Sequence, residues 1–471
     1  MADQWRGDCL GFLGNPYVET PNLDSLFSKG TAFTQAYSAV PSCIAARAAL
    51  LTGLSQKSHG RVGYQDAVPW DYAETLPGLL AEAGYHTHCA GKMHVYPPRN
   101  LMGFHSVDLH DGYLHIERCS SSAYNLVDDY LPWLREHCGV DADITDAGVG
   151  CNGYSVSPWP YEERYHPTNW VTNKAIDFLR RRDSRKPFFL KASYHRPHPP
   201  LDPPKSYLDR YLRKDIPPPV IGDWAQENSI PANRGLDSPV PNNPAQIDLA
   251  RKAYYAQLTH IDCQINRLIH ALKEQKILDN TLFIFTSDHG EMLYDHNMVA
   301  KSFGYDAAAR IPFLVRFPEN WSPSKVSRID APVELRDVLP TFLDAAGVKI
   351  PDSIEGQSVL PWCRGEKPEW REYIHGEHSR WENSNHWITN GKEMYTWNSQ
   401  NGVEQYFDIV NDKCNMHDLS KEKGDRVAYL RKLLIAELEG REEGYVSNGK
   451  LIVGREAQNI LRERIPVMET I

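Results

Sequence analysis

The chain has 471 residues, a formal net charge of −10, 41% hydrophobic and 24% charged residues. That length exceeds what one compact core supports, and the composition is that of an ordinary globular chain, so a large domain plus a smaller one is expected. No apolar run approaches the length of about 18 residues that a spanning helix needs, and no dense Lys/Arg run offers a nucleic-acid face. The sequence therefore predicts neither a membrane nor a nucleic-acid partner.

The elements follow in chain order. Thr20 is a good helix N-cap, Pro21 suits the first helical position, Leu23, Leu26 and Phe27 share a face, and Gly30 closes the segment. A second short helix ends at Gly84, and Tyr85 to Ala90 read as a strand running into Gly91-Lys92-Met93-His94. Further apolar strands are expected at Pro187 to Ala192, Thr281 to Thr286 and Ile311 to Val315. A long helix from about Ile247 to Lys276 carries Leu258, Ile261, Ile265, Leu268, Ile269 and Leu272 on one face. Residues 197–244 are proline-rich and read as an irregular surface excursion.

Short apolar strands alternating with amphipathic helices predict an α/β fold, a large mostly parallel sheet sandwiched by helices. This large domain would span 1–360. Residues 361–471 change character: strands at His386 to Asn390 and Glu393 to Trp397, the run Gln405-Tyr406-Phe407-Asp408 and a helix from Arg426 to Leu438 predict a small antiparallel sheet with a packed helix. Polar clusters sit at the carboxyl ends of the large-sheet strands, where such folds bind ligands.

Nine cysteines are scattered without a CxxC pair, which fits neither a disulfide scaffold nor a zinc ribbon. Cys43 stands apart. It lies in Pro41-Ser42-Cys43-Ile44-Ala45-Ala46-Arg47, followed by Thr52-Gly53. Arg47 is four residues on, so a helix starting near Cys43 places both on one side, with its N-terminus favouring an anion. A lone Cys–Arg pair is ordinarily a buried thiol before an unremarkable helix. Single histidines and lysines such as His94, His198, Lys92 and Lys301 are ordinarily core or solvated groups. Their joint occurrence in order is what carries weight.

This segment resembles the signature of the formylglycine-dependent sulfatases, members of the alkaline phosphatase-like superfamily: Cys or Ser, any residue, Pro or Ala, any residue, Arg, then Thr-Gly. Ala45 at the third position resembles the variant matured by anaerobic radical enzymes. Asp3-Gln4 resembles the family's acidic metal pair, Lys92 and His94 its Gly-Lys-x-His segment, and His198 its Pro-His-x-Pro segment. Asp288-His289 and Lys301 match the later metal pair and lysine, and Tyr305, Arg310 and Pro312 continue the pattern.

The resemblance implies hydrolysis of small anionic sulfate monoesters, on aryl or sugar groups, to alcohol and inorganic sulfate. Cys43 becomes formylglycine and Arg47 steadies it. Asp3, Cys43, Asp288 and His289 would hold one divalent metal, expected to be Ca²⁺, with Mn²⁺ or Mg²⁺ also compatible with oxygen and nitrogen ligands. Gln4, Lys92, His198 and Lys301 would contact the substrate. His198 or Lys301 would protonate the leaving alcohol, and His94 would take the proton of the second hydroxyl.

Gln4 replaces the second aspartate common in sulfatases, and Asp-Gln-Trp-Arg resembles the phosphonate monoester hydrolases, which also use formylglycine. A phosphonate monoester or phosphodiester hydrolase is thus the second enzyme reading. A non-catalytic binder of sulfated glycans applies if Cys43 stays a thiol. Trp381 and Trp387 flank a polar run and could line a ring subsite or pack the small domain.

Family members carry an apolar strand before the metal aspartate, whereas Met1 and Ala2 alone precede Asp3 here. A ligand on a fraying terminus is poorly held. The expectation is that the natural beginning is missing: the sequence as it stands reads as cytoplasmic, and with a leader it would be periplasmic or secreted.

Overall fold

The computed structural model describes residues 1–114, 127–225, 240, 242–318, 321 and 328–465. Among the described residues, eight strands build the main sheet: β1 (Ala2–Asp3), β2 (Thr31–Phe33), β3 (His86–Gly91), β4 (Ser106–Leu109), β5 (Phe188–Pro197), β6 (Phe283–Thr286), β7 (Phe313–Arg316) and β8 (Arg328–Ile329). One half runs β4-β3-β5-β1 and is parallel throughout. The other runs β6-β7-β2-β8, with β7 antiparallel to both neighbours. A parallel bridge from Ala2 to Ser287 joins the halves. The sheet is mostly parallel, as the sequence predicts.

Helices cover both faces. Pro167–Arg181 and Pro244–Glu274 pack on each other and on β5. The long helix starts where the sequence permits: the Asn243 side chain accepts from the Gln246 N–H, and Pro244 needs no partner for a missing donor. Its buried stripe of Leu258, Ile261, Ile265, Leu268 and Leu272 joins one apolar core. On the other face Cys43–Thr52, Leu76–Glu82 and Val338–Ala346 enclose a second core. Each fully buried aliphatic side chain in these cores contributes about 1.5–3 kcal/mol.

Two expectations change. Asp3 does not fray: it is fully buried in the middle of the sheet, and the Met1 ammonium and carbonyl pair with Ala192 and Tyr194 of β5. Strand pairing and burial on both faces overcome the proximity to the terminus. The proline-rich excursion is not wholly irregular either, because Lys205–Leu212 forms a helix whose Leu208 and Tyr211 are buried. Its 226–239 and 241 portions lie outside the described residues.

The second sheet comprises β9 (Ile374–His378), β10 (Asn385–Thr389), β11 (Glu393–Asn398) and β12 (Glu404–Asp408), antiparallel in sequential order. The Gly424–Leu438 helix lays Val427, Leu430, Leu434 and Leu438 against Ile388, Tyr395 and Trp397. This sheet is sewn to the larger part: Glu377 N–H donates to the Ala39 carbonyl and Ser379 N–H to the Val62 carbonyl, both at 2.8 Å. The residues after the change of character near 361 thus form a second sheet in direct contact with the larger part.

Beneath β9, Glu377 accepts two hydrogen bonds from Arg441, at 2.7 and 2.8 Å, and all three charged partners of this cluster, with Glu443, are buried. Burial would raise the Glu377 carboxyl, but Arg441 and then His386 bring it down to about 2. An unfolded glutamate titrates at about 4.3. The ion pair therefore stabilises the fold above that pH and the contribution fades as pH falls toward 2. Glu377→Gln is expected to lower stability at pH 7 by about 3–5 kcal/mol in urea unfolding, because it leaves Arg441 under-compensated. The deficit shrinks at pH 3; an equal deficit at both pH values contradicts the assignment.

Candidate active site

Four carboxyl-end segments converge on Cys43. The cysteine begins its helix, with Ser42 in extended backbone before it, and is 2% exposed. Four residues on, Arg47 points back beneath it. Its Nη2 and Nε donate to Asp288 Oδ2 at 2.9 and 3.1 Å, and Nη2 also approaches Asp3 Oδ2 at 3.3 Å. Nη1 donates to the Lys92 carbonyl and to Ser193 Oγ. One buried guanidinium thus ties β1, β3, β5 and the turn after β6 together.

Asp3 leaves β1, Asp288 and His289 follow β6, and Lys92 follows β3. Gly91 makes that last turn possible: its φ is +102°, and a Cβ would sit 2.0 Å from the Ser193 carbonyl oxygen. Lys92 Nζ lies 2.6 Å from Asp3 Oδ2. Burial alone would raise Asp3, but Lys92, His198 and Arg47 hold it well below the usual carboxylate range. Burial likewise opposes the Lys92 ammonium, yet Asp3 and Cys43 raise it.

Ligand atoms of Asp3, Cys43, Asp288 and His289 all lie within 4.8 Å of one another. His289 Nδ1 faces the Gly290 carbonyl at 2.9 Å, so it carries the proton and leaves the Nε2 lone pair turned toward the cluster. That Nε2 is 3.2 Å from Cys43 Sγ and 3.7 Å from Asp3 Oδ1. Two carboxylates, an imidazole and the position of residue 43, all buried, fit one divalent cation.

The cluster opens into a cavity of about 390 Å³ lined by Cys43, Lys92, His94, His198 and Lys301 together with Tyr64 and Trp381. Lys301 Nζ donates to Gln4 Oε1 at 2.8 Å and to His198 Nε2 at 2.9 Å. His198 Nδ1 in turn faces the Pro199 carbonyl at 2.8 Å. With Nδ1 donating and Nε2 accepting, His198 is the neutral tautomer; burial and then Lys301 lower its pKa well below the usual range. In this arrangement His198 has no proton on its cavity side, whereas Lys301 does.

His94 and Gln4 occupy left-handed backbone, at φ 56° and 71°. Such strain persists only where surroundings enforce it and clusters at functional sites. For His94 the enforcement is Asp111, whose Oδ1 accepts both the Met93 and His94 N–H groups, at 2.7 and 2.9 Å. Nothing in the sequence spacing singles out Asp111 or Glu291, which binds the Gln4 amide. The two tryptophans divide: Trp381 is 52% exposed at the cavity, whereas Trp387 is fully buried against Gly304 and Gly376. The second layer therefore contributes to the site, through His378, Arg380 and Trp381.

Comparisons with known proteins agree with this geometry. The sulfatase family model matches residues 1–348, and the C-terminal model of N-sulphoglucosamine sulphohydrolase matches 294–440. The chain is 52% identical to an arylsulfatase of Clostridium perfringens over 464 residues, covering 96% of each protein. It is 29% identical to the multifunctional alkaline phosphatase superfamily protein PehA of Trinickia caryophylli, over 80% of this chain and 79% of that one. Among solved structures, the phosphonate monoester hydrolase of Agrobacterium radiobacter superposes with a TM-score of 0.76 at 23% identity, covering 93% of this chain and 94% of the other. A buried Cys–Arg helix, an acidic ligand set and a matching family model spanning most of the chain lead to one assignment: the protein belongs to the sulfatase family.

Proposed function

We propose that the protein hydrolyses sulfate monoesters, aryl or sugar-linked, to alcohol and inorganic sulfate, with Cys43 oxidised to formylglycine as the nucleophile. The carrying observation is the placement of Cys43: inside a four-residue ligand set, over Arg47, at the floor of a cavity ringed by Lys92, His94, His198 and Lys301. An arylsulfatase identical at half of its positions supports the same reading.

Asp3, Asp288, His289 and the residue at 43 would hold a divalent cation, Ca²⁺ by preference, with Mn²⁺ or Mg²⁺ as alternatives. When bound, that cation polarises sulfate oxygens and favours an anionic attacking oxygen. The formylglycine hydrate supplies two hydroxyls, one to attack sulfur and one whose deprotonation releases sulfate. A thiol supplies neither hydroxyl, so turnover depends on oxidation of Cys43; Ala45 resembles the form matured by anaerobic radical enzymes.

The chain's own groups do the rest. Arg47 offsets the two aspartates and fixes their spacing. Lys92 and Lys301 supply positive charge to the ester, and charges fixed before the reaction stabilise a developing anion without reorganisation. Lys301, held between Gln4 Oε1 and His198 Nε2, gives a proton to the leaving oxygen. His94 accepts the proton from the second hydroxyl.

Gln4 favours a second reading, a phosphonate monoester or phosphodiester hydrolase using the same nucleophile. The ratio of kcat/KM on 4-nitrophenyl sulfate to that on an aryl phosphonate monoester decides: the sulfatase reading predicts a ratio above one, and a strong phosphonate preference overturns it.

Removing the proton donor should depend on the leaving group. Lys301→Met is expected to lower kcat on an alkyl or sugar sulfate by about 10²–10⁴-fold. The loss on 4-nitrophenyl sulfate should be at least tenfold smaller, because nitrophenolate leaves without protonation. Equal losses on both substrates would assign Lys301 to anion binding alone.

A further inference from the structure

Glu291 lies outside the cavity wall, is 1% exposed, and is absent from the sequence pattern that identifies the site. Its carboxylate makes contacts of two kinds. Oε1 accepts the backbone N–H groups of Leu293, at 2.8 Å, and Ala300, at 2.7 Å. Oε2 accepts the Tyr154 hydroxyl at 2.8 Å and the Gln4 side-chain amide Nε2.

These contacts act on both partners of one pair. A glutamine amide has a donor end and an acceptor end, and the environment alone decides which way it faces. Oε2 of Glu291 is an acceptor only, so it takes the Nε2 end. The carbonyl Oε1 must then face the opposite way, and there it accepts Lys301 Nζ at 2.8 Å. Oε1 of Glu291 meanwhile pins Ala300, the residue before Lys301. The intervening segment needs such a pin: Leu293, Tyr294, His296, Asn297, Ala300 and Ser302 all have positive φ between 48° and 87°, a costly conformation that persists only when held.

We infer that Glu291 is a positioning residue: one oxygen fixes the orientation of the Gln4 amide, the other fixes the backbone that delivers Lys301, and together they set the Lys301 ammonium over the anion site. An amidated residue 291 cannot do both. Glutamine in its place has one acceptor and one donor end, so either Gln4 meets a second N–H₂ and turns over, or the Leu293 and Ala300 N–H groups lose their partner. This rests on the proposed role of Lys301 as a contact to the sulfate group.

The test uses full-length protein with two readouts: affinity for inorganic sulfate by titration calorimetry in the presence of the divalent metal, and kcat/KM of matured enzyme on 4-nitrophenyl sulfate. Supporting residues of this kind typically alter affinity or activity by about 10–100-fold. Glu291→Gln is expected to weaken sulfate binding and lower kcat/KM within that range. The exchange of Gln4→Glu with Glu291→Gln restores complementary ends. The amide now at position 291 donates to the carboxylate now at position 4, and Tyr154 turns to accept. This double variant should recover at least about tenfold of either loss.

A merely structural role predicts that Glu291→Gln loses unfolding stability while the folded protein keeps its sulfate affinity. If Glu291→Gln does not fold, the exchange variant carries the test, since it retains the hydrogen bonds on both sides. Glu291→Gln binding sulfate as tightly as wild type, or a folded exchange variant without recovery, overturns the inference. Wild-type protein that binds sulfate but turns over no sulfate ester contradicts the functional reading instead, and the binding measurements still decide the role of Glu291.

Discussion

The buried guanidinium of Arg47 is the constraint on which the site depends. Asp3 and Asp288 are both fully buried, and two carboxylates so placed repel each other and lose their hydration. Arg47 compensates them from below with directed hydrogen bonds, and Lys92 compensates Asp3 from the side. Because the same guanidinium also donates to the Lys92 carbonyl and to Ser193, its position is shared by the ends of three parallel strands and the turn after a fourth. The site is thereby a property of the sheet rather than of any one loop. Cys43 is presented over that clamp by the first turn of the helix that carries Arg47.

The upper half of the site is built differently. Lys301, Gln4 and His198 form a chain in which each proton position follows from a neighbour: Pro199 fixes His198, His198 and Gln4 fix Lys301, and Glu291 fixes Gln4. Strained backbone at Gln4, His94 and Ala300 is held by carboxylates, Asp111 and Glu291 among them. A helix start and rigid strand ends set Cys43 and the candidate ligands, and carboxylate-pinned turns set Lys301 and His94 at the cavity. The antiparallel layer completes the cavity with His378, Arg380 and Trp381, which ties its wall to a part of the chain far from Cys43 in sequence.

Much of this was legible in the sequence because the relevant signals are local. The Cys43–Arg47 spacing, the apolar runs ending in polar clusters, and the Pro244 helix with its buried stripe each depend on neighbouring residues only. What escaped depends on contacts between distant segments. The security of Asp3 comes from pairing with β5 nearly two hundred residues away, and the neutrality of His198 from burial and then Lys301, also remote. Glu291 and Asp111 look like ordinary acidic residues until folding brings Gln4 and His94 to them. Trp387, with a polar run beside it, reads as a candidate for a ring subsite, but the glycines opposite it open a core slot instead.

In the proposed mechanism the catalyst is Cys43 after oxidation, not the thiol. Preparations carrying graded extents of conversion, quantified at Cys43 by peptide mass spectrometry, test it most directly when each is assayed on 4-nitrophenyl sulfate. Turnover should rise in proportion to the fraction of Cys43 that has lost sulfur and gained oxygen, and extrapolate to zero for the pure thiol. A thiol-only preparation that turns over as fast as the converted protein would contradict the account.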